Sequence, residues 1–559
     1  MAVSRAGGSS RGPSQHFNEV LTALDGFHQA LADRYMRKAC EALNRSTTTS
    51  LPGPANTGGD GGPVLELTEA DQAHVAYCEI QRWFAENEVG TRFDSITCSG
   101  YVPQQYLTDG SSTQGFTCKA PELLTLAAEW ATQDREWIQE RIPKFSMQQI
   151  PALRAARDAF VNAAQAFGAS PEAGSDGWDT NGTFTLDGVG SSLPETIDDI
   201  AYSELSPPPA WLAGWTGAAA EGAALGFFHT ITATLHNHAL IANALGYLIN
   251  LRATIIDENR RNTLDLIGSA TEALGATATT DVDLTKRWAV VEGIGAAISL
   301  VPAGATVGAP IVFVGWLGAQ LKPTKKETNF ASDPLEVATR LSDAIDEMKR
   351  DIEYSEADYR SESGQVESAI GSARLEVLEL YDITQNNPEG TAGSDAGFSA
   401  DIDEMTGLAS TCYGIAEAYE QIRSQLGDVY DGDAHLKDQD GDATEADTRV
   451  LAMREDFLNF ISTAIGRYCL AGEQIEEAAR TYAESDDQAA TSFEAWEDET
   501  GDIQSDPPVA HDESEGLAAA TDRTSEPGAQ DETPDDDAEI AYDPEGWDHP
   551  TPEPQQGPA

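Results

Sequence analysis

The sequence has little positive charge. Its 559 residues contain 34 Lys or Arg against 94 Asp or Glu, which gives a formal net charge of -60 at pH 7. Non-specific binding of nucleic acid requires clustered Lys and Arg that neutralise phosphates. The composition therefore predicts that nucleic acid is not a partner. Acidity of this kind suits either an exported protein or one that works in a salt-rich cytoplasm.

Motifs of catalysis are also missing. The sequence contains no G-x-x-x-x-G-K phosphate loop and no G-x-S-x-G nucleophile turn, and no nucleophile is accompanied by a base and an orienting residue. We predict a non-enzymatic protein without a cofactor. The first residues, MAVSRAGGSSRGPSQ, lack the apolar core of a cleavable signal peptide, so any export is expected to use another signal.

The six cysteines show no C-x-x-C spacing. This spacing is the usual signature of zinc ribbons and thioredoxin-like sites, so the sequence predicts no metal site built on cysteine. In an exported protein we expect two disulfides, Cys98 with Cys118 and Cys412 with Cys469. In a cytoplasmic protein the same residues would be small buried hydrophobes.

Two polar clusters resemble metal sites without completing one. His229, His236 and His238 lack the tight helical spacing and the additional ligand that zinc requires, so we interpret them as core or interface residues. The loop around Asp438 is similar to a calcium loop, but Arg449 stands where the bidentate Glu would be. We interpret that loop as a solvated acidic linker.

Apolar residues recur every three or four positions through most of the chain, whereas alternating strand patterns flanked by hairpin turns are missing. The fold class we predict is all-α, an elongated bundle of long antiparallel helices. The expected helical segments are 17–40, 69–83, 121–167, 211–274, 334–380, 399–428 and 446–486.

Composition divides the chain into five parts. Residues 1–15 and the acidic tail 488–559 are predicted to be disordered because they are poor in apolar residues. Between them we expect an N-terminal helical region with two loops, an irregular linker, and the main helical bundle. Their ranges are 16–167 with loops at 46–66 and 89–116, 168–199, and 200–487.

A long apolar segment interrupts this acidic chain. Residues 293–321 carry no charge over 29 positions, and four of the nine lysines lie at the ends of the segment. Pro302 and Gly304 divide it into two arms that are each shorter than a bilayer core of about 30 Å. We therefore predict an apolar helical hairpin over 288–321 with both basic ends on one side, buried in the bundle or inserted into a membrane. A single long kinked span across the bilayer stays open as an alternative. The candidate membrane-interface residues are Lys286, Arg287, Lys322, Lys325 and Lys326.

Two short motifs resemble those of a known family. Trp215-Thr216-Gly217 opens a long helical run, and Tyr482-Ala483-Glu484-Ser485-Asp486 closes the last one before the acidic tail. They are similar to the W-x-G turn and the Y-x-x-x-D/E export signal of actinobacterial type VII (ESX) secretion substrates, which are antiparallel helical hairpins. The resemblance implies that Trp215 and Gly217 form a hairpin turn. It also implies that the secretion machinery recognises Tyr482 and Asp486.

These observations predict an exported helical protein that acts in secretion or in interactions, located outside the cell or in its envelope. Its expected partners are the type VII machinery or a helical protein, and self-association is compatible with this interpretation. Two alternatives stay open. One is a pore-forming or membrane-inserting protein that uses 293–321, and the other is a cytoplasmic acidic scaffold of a salt-adapted organism.

Overall fold

The structure is a computed structural model of the chain. The described residues are 13–43, 48–50, 53–57, 64–87, 97–106, 117–145, 148–169, 192–203, 206–275, 286–290, 324–328, 333–385, 400–427 and 430–485. Most of the predicted apolar hairpin 288–321 lies outside these ranges, and its first residues, 288–290, form part of a strand rather than of a helix. The predicted disordered tail 488–559 and residues 1–12 also lie outside, whereas residues 13–15 belong to the first helix.

The fold is all-α, as predicted. The helices are α1 Pro13–Leu43, α2 Glu69–Val75, α3 Glu79–Glu86, α4 Ala120–Arg141, α5 Ile150–Ala166, α6 Leu193–Ile200, α7 Trp211–Gly214, α8 Ala218–Leu225, α9 Phe227–Gly275, α10 Pro334–Ser372, α11 Ile402–Gly427 and α12 Glu445–Ser485. Two short antiparallel strand pairs accompany them, β1 Thr48–Ser50 with β2 Val64–Glu66 and β3 Lys286–Val290 with β4 Thr324–Thr328.

Helix α9 lies at the centre of the apolar core. It is 49 residues long and contacts α1, α5, α10 and α12. Most of its residues are buried, and a single cluster of buried apolar side chains runs from α1 to α12. Helices α9 to α12 are called the long-helix bundle below. Because these helices span many turns, their apolar stripes supply the large buried area that stabilises such a bundle.

Several helix ends follow local sequence rules. Asp333 caps α10 by accepting hydrogen bonds from the backbone N–H groups of Leu335 and Glu336, and Pro334 occupies the first helical position. The predicted helix over 121–167 is instead two helices, α4 and α5. The break coincides with Pro143, because a proline disfavours helical geometry in the residue before it.

Helix α6 differs from the prediction of an irregular linker over 168–199. The Ser192 hydroxyl accepts a hydrogen bond from the backbone N–H of Glu195, and Pro194 lies in the first turn. This capped start suits a helix of eight residues, and its apolar face packs into the core through Leu193, Ile197 and Ile200.

One described helical span, Ala218–Gly275, is long and apolar enough to cross a bilayer. The structure buries 83% of its apolar window, so the span fits the core helix of the bundle.

Candidate functional site

The W-x-G motif lies in a turn between α7 and α8. Trp215 ends α7 and is 3% exposed, and Gly217 precedes α8 with φ of 107°, a conformation that favours glycine. The turn is joined to the start of α11 by a β-bridge between Trp215 and Ala400, and the Asp401 N–H donates to the Gly214 carbonyl at 2.7 Å.

The tyrosine of the second motif lies in the last turn of α12. Tyr482 is partly buried and packs against the core, whereas Asp486 lies outside the described residues. Helices α11 and α12 are antiparallel, since Gly472 faces Tyr413 and Arg423 Nη1 donates to Ser462 Oγ at 3.2 Å.

Continuing this register places Tyr482 beside the start of α11, where the W-x-G turn is attached. Trp215 and Tyr482 are far apart in sequence, yet this register puts them at the same end of the α11–α12 hairpin. Sequence reasoning had not placed them together, because the signal that does so is the tertiary pairing of two helices.

The ends of the apolar segment are paired in the β3–β4 ribbon. The register sets Lys286 opposite Thr328, Arg287 opposite Glu327, and Trp288 opposite Lys326, while Lys325 faces Ala289. Four of the five candidate interface residues therefore lie on two adjacent strands between α9 and α10. Lys322 and the uncharged residues 293–321 lie outside the described residues.

Four metal-ligating side chains meet in the N-terminal part of the chain. They are His74 in α2, Cys78 at the N-terminus of α3, Cys98 in an irregular segment, and Cys118 just before α4. Their ligand atoms all lie within 4.8 Å of one another. We call residues 64–87, 97–106 and 117–145 the cysteine region.

Direct contacts link these side chains in pairs. His74 Nε2 lies 3.1 Å from Cys98 Sγ, and Cys78 Sγ lies 3.8 Å from Cys118 Sγ. His74 Nδ1 lies 2.5 Å from the carbonyl oxygen of Tyr101. The hydrogen bond between the two thiols lowers the pKa of Cys78, while the same bond and burial raise the pKa of Cys118.

All six cysteines are free thiols in the structure, including the four that we expected to pair in an exported protein. Cys98 and Cys118 both belong to the four-residue cluster, and Cys412 and Cys469 are buried in α11 and α12. Burial raises the pKa of Cys412 to about 12.

The cysteine cluster is what the sequence interpretation missed. That interpretation required two cysteines spaced C-x-x-C, whereas here the close pair is His74 and Cys78, spaced H-x-x-x-C, and the other cysteines follow at intervals of twenty residues. The H-x-x-x-C spacing was the available local signal.

The three histidines weighed above do not form a cluster with one another. His238 is fully buried, with Nε2 2.6 Å from the Leu378 carbonyl oxygen and Nδ1 3.3 Å from the Tyr419 hydroxyl. Its surroundings are aromatic, and burial lowers its pKa to about 4. His229 lies near Tyr202, and burial lowers the pKa of His236.

In the acidic loop, the carboxylate of Asp438 forms hydrogen bonds with the backbone of the loop itself. Asp438 Oδ1 accepts hydrogen bonds from the backbone N–H groups of Asp440, Gly441 and Asp442, at 2.9 to 3.0 Å. This arrangement closes a turn, with Gly441 at φ of 92°.

A scan of protein-family models, a search of curated proteins and a search of solved structures each gave no match to this chain.

Proposed function

We propose that the chain is a non-enzymatic helical protein exported by a type VII secretion system. The observation that carries the proposal is the location of the W-x-G turn and Tyr482 at one end of the α11–α12 hairpin. Two motifs that are distant in sequence can form one recognition surface only if they lie close together in space. The antiparallel register of α11 and α12 supports such proximity.

The local structure around each motif adds support. In the family that the motifs resemble, the tyrosine signal follows a helix-turn-helix, and Tyr482 closes α12 after α11 and its turn. The positive φ of Gly217 suits the turn role that the resemblance implies. Secretion or envelope location and recognition by the secretion machinery are parts of the same proposal.

Fractionation of a host into cytosol, membrane and medium tests the proposal. We expect the wild-type protein in the medium, and we expect it to stay in the cell when the type VII ATPase is deleted or when Tyr482 is replaced in Tyr482→Ala. The matched control is Tyr354→Ala, because Tyr354 and Asp358 repeat the same spacing in the middle of α10 and Tyr354 is 71% exposed.

Equal export of both variants, or release that does not depend on the ATPase, would contradict the proposal. Protein confined to the cytosol in every strain would favour the acidic scaffold instead. Circular dichroism of the purified variants establishes that both remain helical, so that a loss of export is not a loss of folding.

A second candidate function is membrane insertion through the apolar segment, which the β3–β4 ribbon favours. The ribbon joins the two ends of 291–323, so both ends leave the described structure at the same place between two long helices. The uncharged residues 293–321 within this segment can then enter a bilayer with the basic flanks at one interface.

Dye release from zwitterionic liposomes tests this candidate. We expect leakage with the wild-type protein and its loss in Val314→Asp, because a charge inside the hydrocarbon core is costly. Leu225→Asp is the control, since Leu225 is an exposed apolar residue of α8. Absence of leakage with the wild type, or equal leakage with Val314→Asp, would exclude insertion by this segment.

A further inference from the structure

We propose that His74, Cys78, Cys98 and Cys118 bind one zinc ion in a closed tetrahedral site that organises the cysteine region. The site is independent of the export proposal, because it lies in a different part of the chain and its test does not depend on location.

The distances between the ligand atoms suit zinc. A Zn–S bond of about 2.3 Å in a tetrahedral site separates two sulfur ligands by about 3.8 Å. Cys78 Sγ and Cys118 Sγ are 3.8 Å apart, and the ligand atoms of all four residues lie within 4.8 Å of one another. An ion can therefore contact all four ligands after only small side-chain movements.

The imidazole of His74 is already oriented for coordination. Its Nδ1 faces the Tyr101 carbonyl oxygen at 2.5 Å, so Nδ1 carries the proton and donates it to that oxygen. The lone pair of Nε2 then points toward the cluster, where Cys98 Sγ lies 3.1 Å away. Metal-ligating histidines are typically held by a hydrogen bond of this kind from the other ring nitrogen.

The ligand set identifies both the class of metal and the kind of site. Three thiolates and one imidazole suit a borderline-soft ion, and Cys₃His is a ligand set of structural zinc sites. Four protein ligands leave no open position for substrate, so the site is structural. His74, Cys78 and Cys118 are buried, and the partly exposed Cys98 provides the path by which the ion enters.

The elements that supply the ligands are short. Helices α2 and α3 have seven and eight residues, and the segment 97–106 contains only a three-residue 3-10 helix. Their capacity to bury apolar surface is small, and small folded units with little apolar core are commonly stabilised by a metal or a disulfide. The zinc ion would fix 97–106 and the start of α4 against α2 and α3.

Metal analysis of the full-length protein tests the site. We expect one equivalent of zinc per chain after purification under reducing conditions, and no bound zinc in Cys78→Ser. Cys40→Ser is the matched control, because Cys40 is also buried, in α1, but does not belong to the cluster. This variant should retain a full equivalent.

Cobalt substitution makes the test independent of how well a variant folds. The wild-type protein reconstituted with Co²⁺ should show the visible absorption of tetrahedral thiolate coordination and lose it when zinc is added. The partly exposed Cys98 allows a mild variant, Cys98→Ser, which should weaken the thiolate absorption band while the chain stays helical.

Two results would overturn the inference. One is a protein that is metal-free after purification under reducing conditions and gives no thiolate band when cobalt is added. The other is a Cys98–Cys118 or Cys78–Cys118 disulfide, detected by peptide mass analysis in protein recovered from the host without added oxidant. Either result would overturn the zinc site without changing the outcome expected of the fractionation experiment, which tests export.

Discussion

The cysteine region and the long-helix bundle are stabilised in different ways. In the bundle, helices of 26 to 49 residues bury continuous apolar stripes against one another. In the cysteine region, α2 and α3 have seven and eight residues, and a cluster of polar ligands lies between irregular segments. From this comparison we expect apolar packing to define most of the bundle, and we expect α2, α3 and residues 97–106 to depend more on the side chains of the cluster.

A buried ionic network lies within the described part of the bundle, and disrupting it should have the largest effect on stability. Arg252 of α9 is fully buried and donates to both carboxylate oxygens of Asp447 of α12, at 2.9 and 2.6 Å. It also pairs with Glu356, and it lies 4.7 Å from the ring centroid of Tyr359. The network connects α9, α10 and α12.

Asp447→Ala leaves the Arg252 charge buried without its main partner and removes the capping box of α12, in which Thr444 and Asp447 bond to each other's backbone N–H. We expect the free energy of unfolding to fall by about 3–5 kcal/mol. Denaturant titration measures it. Glu477→Gln, which removes a surface pair with Arg480, should change stability by less than about 0.5 kcal/mol. Equal effects of the two variants would refute the role of the buried network.

One buried titratable group in each region should contribute to the pH dependence of stability, with opposite signs. Asp134 of the cysteine region is buried, accepts a hydrogen bond from the Tyr35 hydroxyl at 2.8 Å, and has a pKa raised by burial to about 6. Because the pKa of Asp134 is higher in the folded state than the value of 3.8 in the unfolded state, the folded state binds the proton more tightly. This stabilises the fold fully below pH 3.8, and the stabilisation is lost as the pH rises through 6. The loss should be about 3 kcal/mol.

His238 of the bundle has the opposite dependence. Its pKa is lowered from 6.5 to about 4 by burial, so the folded state favours the neutral ring. Stability is then present above pH 6.5 and is lost as pH falls toward 4, again by about 3 kcal/mol.

Single substitutions separate these two opposing effects. Relative to the wild type, Asp134→Asn should lose more stability on acidification between pH 6 and 4, because the opposing Asp134 contribution is gone. His238→Gln should lose less stability than the wild type over the same range. Unfolding measured across this range tests both, and changes of the same sign relative to the wild type would contradict the assignment.

The smallest expected changes in stability come from substitutions at the contact between α11 and α12. A Cβ at Gly472 would lie 2.7 Å from the Tyr413 ring, so Gly472→Ala should lower stability by about 1–3 kcal/mol. A Cβ at Gly414 would meet no atom within 4 Å, and Gly414→Ala should raise stability by about 0.5–1 kcal/mol through helix propensity. Thermal melts compare the two, and a stabilised Gly472→Ala would show that these helices are not in close contact.

Much of the bundle follows from local sequence. The periodic apolar pattern and Pro334 predicted where α10 begins, and the predicted 446–486 helix agrees with α12 to within one residue at each end. Long helices give a strong signal because many turns repeat the same apolar stripe. Helix α6 was missed because a Gly- and Ser-rich stretch precedes it, although Ser192 and Pro194 are a helix-start signal.

The cysteine cluster could not be predicted in the same way. Its ligands span residues 74 to 118, and whether they converge depends on how α2, α3 and α4 are arranged rather than on any repeated spacing. The proximity of the W-x-G turn and Tyr482 likewise depends on the pairing of α11 with α12. In both cases local pattern identifies the elements, and tertiary packing decides which side chains meet.

The difference between the cysteine region and the long-helix bundle is tested most directly by hydrogen–deuterium exchange of the full-length protein. Exchange is measured with zinc bound and again after a chelator has removed the metal. We predict that metal removal accelerates exchange in α2, α3 and residues 97–106 while α9 to α12 stay protected. Unchanged exchange in α2 and α3 would show that the cysteine region does not depend on a metal. Loss of protection throughout α9 to α12 would show that the bundle is not stable by packing alone.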